Sequence, residues 1–495
     1  MSTEQLYQLI SIVLYLALML FIGWYAFKRT TNLTDYMLGG RSLGPAVTAL
    51  SAGASDMSGW LLMGLPGAIY AGGLVEAWIA VGLTIGAYLN WLLVAPRLRS
   101  YTQVSNDSIT IPSYLENRLK DKSRLLRIAS GLIILVFFTF YVSSGMVAGG
   151  KFFLSSFGLD YHVGLLIVSA VVIAYTLFGG FLAVSYTDFI QGLTMFLALL
   201  LVPIVGLFLT GGLAETSASI TEVNPDFFNI VKGATAAGII SSLAWGLGYF
   251  GQPHIIVRFM AISSVKETKS ARRIGIGWMI LSLFGAIATA LVGVAYYKQN
   301  PDVSLADPET VFIALGQIIF HPLIAGIMLA AVLAAVMSTI SSQLIVTSSA
   351  LIEDLYKAVM KSDATDKHYV FLGRMAVLVV SLIAMVLAWP NKESILKLVS
   401  FAWAGFGGAF GPIIILSLYW RKLTSQGALW GMVAGAITVG IWGNVEALSD
   451  MLYEIVPGFI ICLIVTWIVS LMTFKPNADI DKEFYDAVEM VKKER

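Results

Sequence analysis

Apolar runs of 18 or more residues without a single charge recur along the whole of this sequence, among them 6–27, 189–212 and 274–297. At 1.5 Å per residue each is long enough, as a helix, to cross about 30 Å of hydrocarbon. The pattern predicts helices near 5–27, 42–70, 76–96, 128–150, 162–182, 189–210, 234–257, 274–297, 319–350, 375–389, 395–420, 427–445 and 456–474. This is an all-α integral membrane protein of about thirteen transmembrane helices.

Two of these spans are interrupted. Span 42–70 carries Gly44, Pro45, Gly53, Gly59, Gly64, Pro66 and Gly67 around a charged Asp56, and span 234–257 carries Gly238, Gly246, Gly248, Gly251 and Pro253. Glycine and proline open the helical hydrogen-bond ladder, and inside a membrane the freed groups must meet protein, water or ligand. Broken spans at matching places in two halves point to a secondary transporter's binding site. They are the second and seventh spans, five apart, so spans 2–6 and 7–11 read as two repeats. Five is odd, and the second repeat therefore crosses the membrane upside down. The chain divides into an N-terminal extra helix and loop (1–41), a first repeat (42–210), and a second repeat with its preceding external loop (211–420). Two C-terminal helices (421–474) and a tail (475–495) follow. Gly427, Gly431 and Gly435, spaced by four, read as a flat face for close packing.

Composition agrees: AVILMFWYC residues are 58% of the chain and DEKR only 12%, where soluble domains hold roughly a quarter charged residues. Alternating the spans across the membrane puts 26 of the 31 Lys and Arg on one side. The positive-inside rule makes that side cytoplasmic, with the N-terminus outside and the C-terminus inside. The first run is no signal peptide, since it is too long and ends in Lys28-Arg29 without a cleavage site. Cys462 is alone, which excludes an intrachain disulfide, and the acceptor patterns at Asn32 and Asn106 fall on the cytoplasmic side. The net charge of +1 identifies no partner beyond the lipid bilayer, and no nucleic acid is expected.

Asp56 lies near mid-bilayer, where a carboxylate costs roughly 2.5–3.5 kcal/mol, so a cation is the natural counterpart. Ser338 and Thr339, with the Ala335 carbonyl one turn earlier, offer hard oxygens that suit sodium; bonding back to their own helix is the competing reading. Trp245, Tyr249 and Pro253 follow one another at i, i+4 and i+8, a stripe for a small apolar ring or for simple packing. Tyr141 is a weaker candidate of the same kind. Arg41 stands at the cytoplasmic mouth of the broken second span. Gly40-Arg-Ser-Leu-Gly44 matches G-x-S-x-G but precedes a membrane helix, without the strand-to-helix turn of a nucleophile elbow. No enzyme motif survives, and neither catalytic residues nor an organic cofactor are expected.

Gly39-Gly-Arg-Ser-Leu-Gly-Pro45 and Ala49-Leu-Ser-Ala-Gly-Ala-Ser-Asp-Met-Ser-Gly-Trp60 resemble the sodium/solute symporter family, and within it the bacterial sodium/proline symporters. Trp245-Gly-Leu-Gly-Tyr-Phe-Gly-Gln-Pro-His254, Arg258-Phe-Met260, Ala334-Ala-Val-Met-Ser-Thr339 and Ala402-Trp-Ala-Gly-Phe-Gly407 are similar to the same branch. The resemblance implies a leucine-transporter-type fold of thirteen helices and sodium-coupled uptake of L-proline. It implies a sodium site of the Ala54, Met57 and Ala335 carbonyls with the Ser338 and Thr339 hydroxyls, supported by Asp56. It places proline near Ser58, Gly59, Tyr141, Trp245, Tyr249 and Pro253, with Arg41 and Asp188 affecting coupling. Sodium is then co-transported, and no oligomer is required. The alternatives are sodium symport of another small carboxylate such as pantothenate, or a proline-binding membrane sensor.

Overall fold

The computed structural model describes residues 2–360, 363–392 and 394–494. Lys361 and Arg495, two of the charges counted as cytoplasmic, lie outside the described residues. Each predicted span falls on helix, and the described residues contain no strand beyond an isolated parallel bridge between Leu43 and Ile262. Nine described helices are long and apolar enough to cross a bilayer. One of them, Tyr161–Leu209, holds two predicted spans. Residues 183–188, expected as the loop between those two, are helical, and the chain departs from helix instead at one residue inside the first span, Gly180, at φ 60° and ψ −151°. Only glycine adopts that conformation easily, and a Cβ there would meet the Tyr36 ring at 2.6 Å.

The centre of the molecule is helix Pro322–Met360, buried continuously from Met328 to Ser349. A helix apolar and buried all round belongs inside a bundle. Around it pack the first broken helix, the N-terminal helix Thr3–Phe27, helix Leu125–Phe157 and helix Tyr161–Leu209. The outer surface is apolar too: Leu14, Leu197, Ile204 and Phe284 are all exposed, as lipid contact requires. At the far end, Gly427 and Gly431 lie against helix Ile455–Thr473, where a Cβ on Gly427 would fall 1.9 Å from Ser470 Oγ.

Both predicted breaks are present. The first runs Pro45–Gly59, then a π-turn Trp60–Gly64, then Leu65–Gly72, and Ser58 sits at φ 53°, ψ −166°. A non-glycine residue in such a region costs on the order of 1–3 kcal/mol and persists only where its surroundings hold it. The second runs Ala236–Leu243, a 3₁₀ turn Ala244–Gly251, extended Gln252, and helix Pro253–Ala261. This second break touches its neighbour backbone to backbone: a Cβ on Gly86 would lie 2.2 Å from the Gly246 oxygen.

Candidate functional site

The two breaks face each other. Asp56, in the last turn before the first break, accepts a hydrogen bond on Oδ2 from the Tyr249 hydroxyl of the second. Tyr249 is held in turn by Asn90, whose Nδ2 donates to the Tyr249 carbonyl at 3.1 Å. The Met57 carbonyl accepts the Trp60 amide, and that amide also reaches Ser58 Oγ at 3.2 Å. The unwound turn is thus stabilised by short local bonds that a ligand could replace.

Beside it lies a cavity of about 240 Å³. Of the sequence-predicted residues it is lined by Asp56, Met57, Ser58, Tyr141 and Trp245. Its wall is an aromatic stack, with Trp245 lying 6.2 Å from Trp60 and 5.2 Å from Tyr453 at interplanar angles of 26° and 27°. Trp403 locks the wall from behind by donating Nε1–H to the Trp245 carbonyl at 2.8 Å. Gly59 lines an adjoining space of about 220 Å³ with Ser58, Tyr141 and Thr339. Tyr249 lines a third, about 330 Å³, on the other side of Asp56.

Pro253 stands apart. It lines a separate space of about 300 Å³ with Val257, Thr110 and Asp354. The i, i+4, i+8 stripe assumed a continuous α-helix, whereas residues 244–251 wind as 3₁₀ and Gln252, at φ −79° and ψ 106°, turns the chain before Pro253 restarts it. Trp60, Leu83, Val399 and Trp403 line the 240 Å³ cavity without having been assigned there from sequence. Trp60 and Trp403 both end or sit inside motifs quoted above, and that was the available signal.

The predicted cation ligands converge from two helices. Ser338 Oγ donates to the Ala54 carbonyl at 2.7 Å and lies 3.1 Å from the Ala335 carbonyl. Thr339 Oγ1 donates to the same Ala335 carbonyl at 3.2 Å. Ser338 is fully buried and Thr339 nearly so. The set contains only neutral hard oxygens, the chemistry an alkali cation takes. The Met57 carbonyl is engaged by Trp60, as described, and joins no bond of this cluster.

On one side of the cavity the two broken helices are closed against each other in two layers. Asp188 Oδ2 accepts from Ser51 Oγ at 2.7 Å and from Arg258 Nη2 at 3.1 Å, with both charged side chains fully buried. Arg258 also donates to Ser342 Oγ at 2.6 Å, so one cluster joins four spans. Arg258, Ser51 and Ser342 carried no role in the sequence reading. In the second layer Leu43 bridges to the segment after the second break by two backbone bonds, its amide donating to the Ala261 carbonyl at 3.3 Å and its carbonyl accepting the Ser263 amide at 3.0 Å. Arg41 donates to the Met260 carbonyl at 2.9 Å and pairs with Asp107 at 3.0 Å. Burial lowers its guanidinium to about 10 against the pull of Asp107, so it stays charged at neutral pH.

A helical bundle in which two broken helices face one another across a central cavity, with oxygen donors at the break, is the architecture of a secondary transporter. The chain belongs to the sodium:solute symporter family, whose family model matches residues 36–435. It is 64% identical to the high-affinity proline transporter PutP of Bacillus subtilis, over 94% of this chain and 98% of that one. It is 57% identical to the osmoregulated proline transporter OpuE of the same organism, over 94% and 95%. With sodium/proline symporter 2 of Staphylococcus saprophyticus it shares 52%, over 98% and 96%. Among solved structures it superposes on a Na+-coupled sialic acid symporter in a substrate-bound outward-open state, with TM-score 0.82, 22% identity, and coverage of 95% and 98%. It also superposes on MHP1, a nucleobase-cation-symport-1 family transporter in a closed conformation, with TM-score 0.56, 14% identity, and coverage of 92% and 100%. Both share the leucine-transporter-type fold with this chain.

Proposed function

We propose that this protein carries L-proline into the bacterial cell together with sodium. The observation that carries the reading is the Ser338–Ala54–Ala335 oxygen cluster beside a small cavity walled by Trp245, in a chain similar over nearly its full length to proline transporters. Sodium sits between the first broken helix and helix Pro322–Met360, held by the Ala54, Met57 and Ala335 carbonyls and the Ser338 and Thr339 hydroxyls. Binding draws the Met57 carbonyl away from Trp60 and orders the turn at Ser58 and Gly59. Proline lies in the adjoining cavity, its ring on Trp245 and its carboxylate toward the amides that the break leaves free. Tyr141 borders the same cavity, and Tyr249 holds Asp56 in place.

Release to the other side requires the two layers to separate, Arg258–Asp188 first and then the Leu43–Ser263 and Arg41–Met260 bonds. One sodium moving down about 100 mV supplies roughly 2.3 kcal/mol, equivalent to a gradient of about fifty-fold. One-to-one coupling is sufficient. The repeats divide as 42–210 and 211–420, flanked by the N-terminal segment 1–41 and the C-terminal segments 421–474 and 475–495. The N-terminus faces outward and the C-terminus the cytoplasm, and both sites lie within one chain, so a monomer is competent. The test is uptake of labelled proline into vesicles with sodium or potassium outside. Equal uptake with both cations, or sodium-driven uptake of pantothenate without that of proline, overturns the proposal.

A further inference from the structure

Apart from the spaces that Asp56 lines, an open space of about 500 Å³ lies between helix Leu74–Val104 and the start of helix Glu267–Gln299. Leu92 and Pro96 form its apolar wall, and Lys266, Lys269, Arg272 and Arg273 its polar one. Glu267 and Glu494 also border it, which leaves two positive charges in excess. Among the described residues none of the four basic side chains has an ion-pair partner, and Arg272 lies 5.8 Å over the Tyr88 ring.

Three features say what the excess charge is for. Helix Glu267–Gln299 starts at this space with no side-chain cap at Lys266, which puts the positive end of its dipole at the rim; its Thr268 amide is taken by the Val265 carbonyl at 3.1 Å. Glu494 Oε2 accepts the Val265 amide at 3.1 Å, which puts a carboxylate oxygen already at the rim of the space. Leading away from it, Ile85, Tyr88 and Leu93 on one helix and Ile274 and Leu281 on the other are exposed apolar side chains. Unpaired cations at the end of an apolar groove between two membrane helices match the two ends of a phospholipid.

We propose that this cavity binds the phosphate headgroup of an anionic phospholipid, with the acyl chains along the exposed apolar flank. A free phosphate would use the same cations and helix end but not the groove, and the lipid is therefore the occupant. The proposal rests on the chain lying in a membrane and is independent of which substrate it carries. The headgroup sits against the loop Ile262–Val265 that follows the second broken helix, and Arg99 holds that loop from the other side by donating to the Ile262 and Ser263 carbonyls.

The test is native mass spectrometry of the purified full-length protein titrated with phosphatidylglycerol, with phosphatidylcholine, or with inorganic phosphate alone. Each basic side chain near the surface contributes about fivefold in affinity, so Lys269→Gln with Arg273→Gln should weaken phosphatidylglycerol binding by about thirtyfold. Lys482→Gln, an equal kind of charge removed elsewhere, should leave it unchanged. Glu494→Gln removes a like charge without disturbing packing and should tighten binding; it keeps the test alive if the double variant fails to fold. Rising salt should weaken the wild-type interaction. Phosphatidylcholine bound as well as phosphatidylglycerol, inorganic phosphate bound as tightly as the lipid, or the double variant or Glu494→Gln behaving as wild type would each overturn the assignment.

Discussion

Ser338→Ala isolates the cation site, because the substitution removes one oxygen and disturbs little else. Alanine keeps the helix, being its best former, and a fully buried serine loses only its hydroxyl. That hydroxyl stands between the Ala54 and Ala335 carbonyls, at 2.7 and 3.1 Å, and is the described bond that ties the first break to helix Pro322–Met360. The empty site loses a neutral hydrogen bond, worth about 0.5–1.5 kcal/mol, while the bound state loses a contact to a charge, worth about 1.5–3 kcal/mol. The bound state loses more, by about 1–1.5 kcal/mol, and the sodium half-saturation constant rises about 5–12-fold. Proline recognition at saturating sodium should stay within about twofold, since the aromatic wall is untouched. The assay is initial-rate uptake of labelled proline into proteoliposomes over a matrix of sodium and proline concentrations. Ser341→Ala is the control: its hydroxyl bonds back to the Ser338 carbonyl of its own helix at 3.1 Å, so the sodium dependence should not move. Should Ser338→Ala shift only the proline constant, or Ser341→Ala shift the sodium constant equally, the site lies elsewhere.

Trp245→Ala should act in the opposite sense, raising the proline constant by up to about tenfold through the lost ring contact while the sodium dependence holds; the same uptake matrix reads it. Sodium and proline should each tighten the other's binding by one common factor, typically 5–150-fold, and Asp56→Asn should shrink it. Calorimetry at low and high sodium measures both arms, and equal proline affinity in both removes the coupling. Gly86→Ala should destabilise the protein by about 1–3 kcal/mol through overpacking, because its Cβ would lie 2.2 Å from the Gly246 oxygen; an unchanged melting temperature would contradict the backbone contact. Single cysteines at Asn106 and Glu215, both exposed, in a Cys462→Ser background should be protected at 106 and labelled at 215 by an impermeant reagent from outside, and the reverse pattern would invert the topology.

What could be read from the sequence was whatever depends on local chemistry. A bilayer demands apolar runs of a set length and forbids unsatisfied backbone, so the spans, the two breaks and their spacing were legible as runs of leucine interrupted by glycine, proline and one aspartate. That the Ser338 and Thr339 hydroxyls lie near the Ala335 carbonyl was legible for the same reason, since one turn of helix separates them. What remained hidden was convergence between helices. Nothing local says that Trp60 and Trp403 support Trp245, that Arg258 reaches Asp188 and Ser342, or that Pro253 leaves the stripe it shares with Tyr249. Those facts hang on how far a 3₁₀ turn winds and on how closely Gly86 lets two backbones approach. A helix's own residues decide that it is a helix; only packing against the others decides which of its side chains meet, because a shift of one turn or a few ångströms redirects every contact while leaving the hydrophobic pattern unchanged.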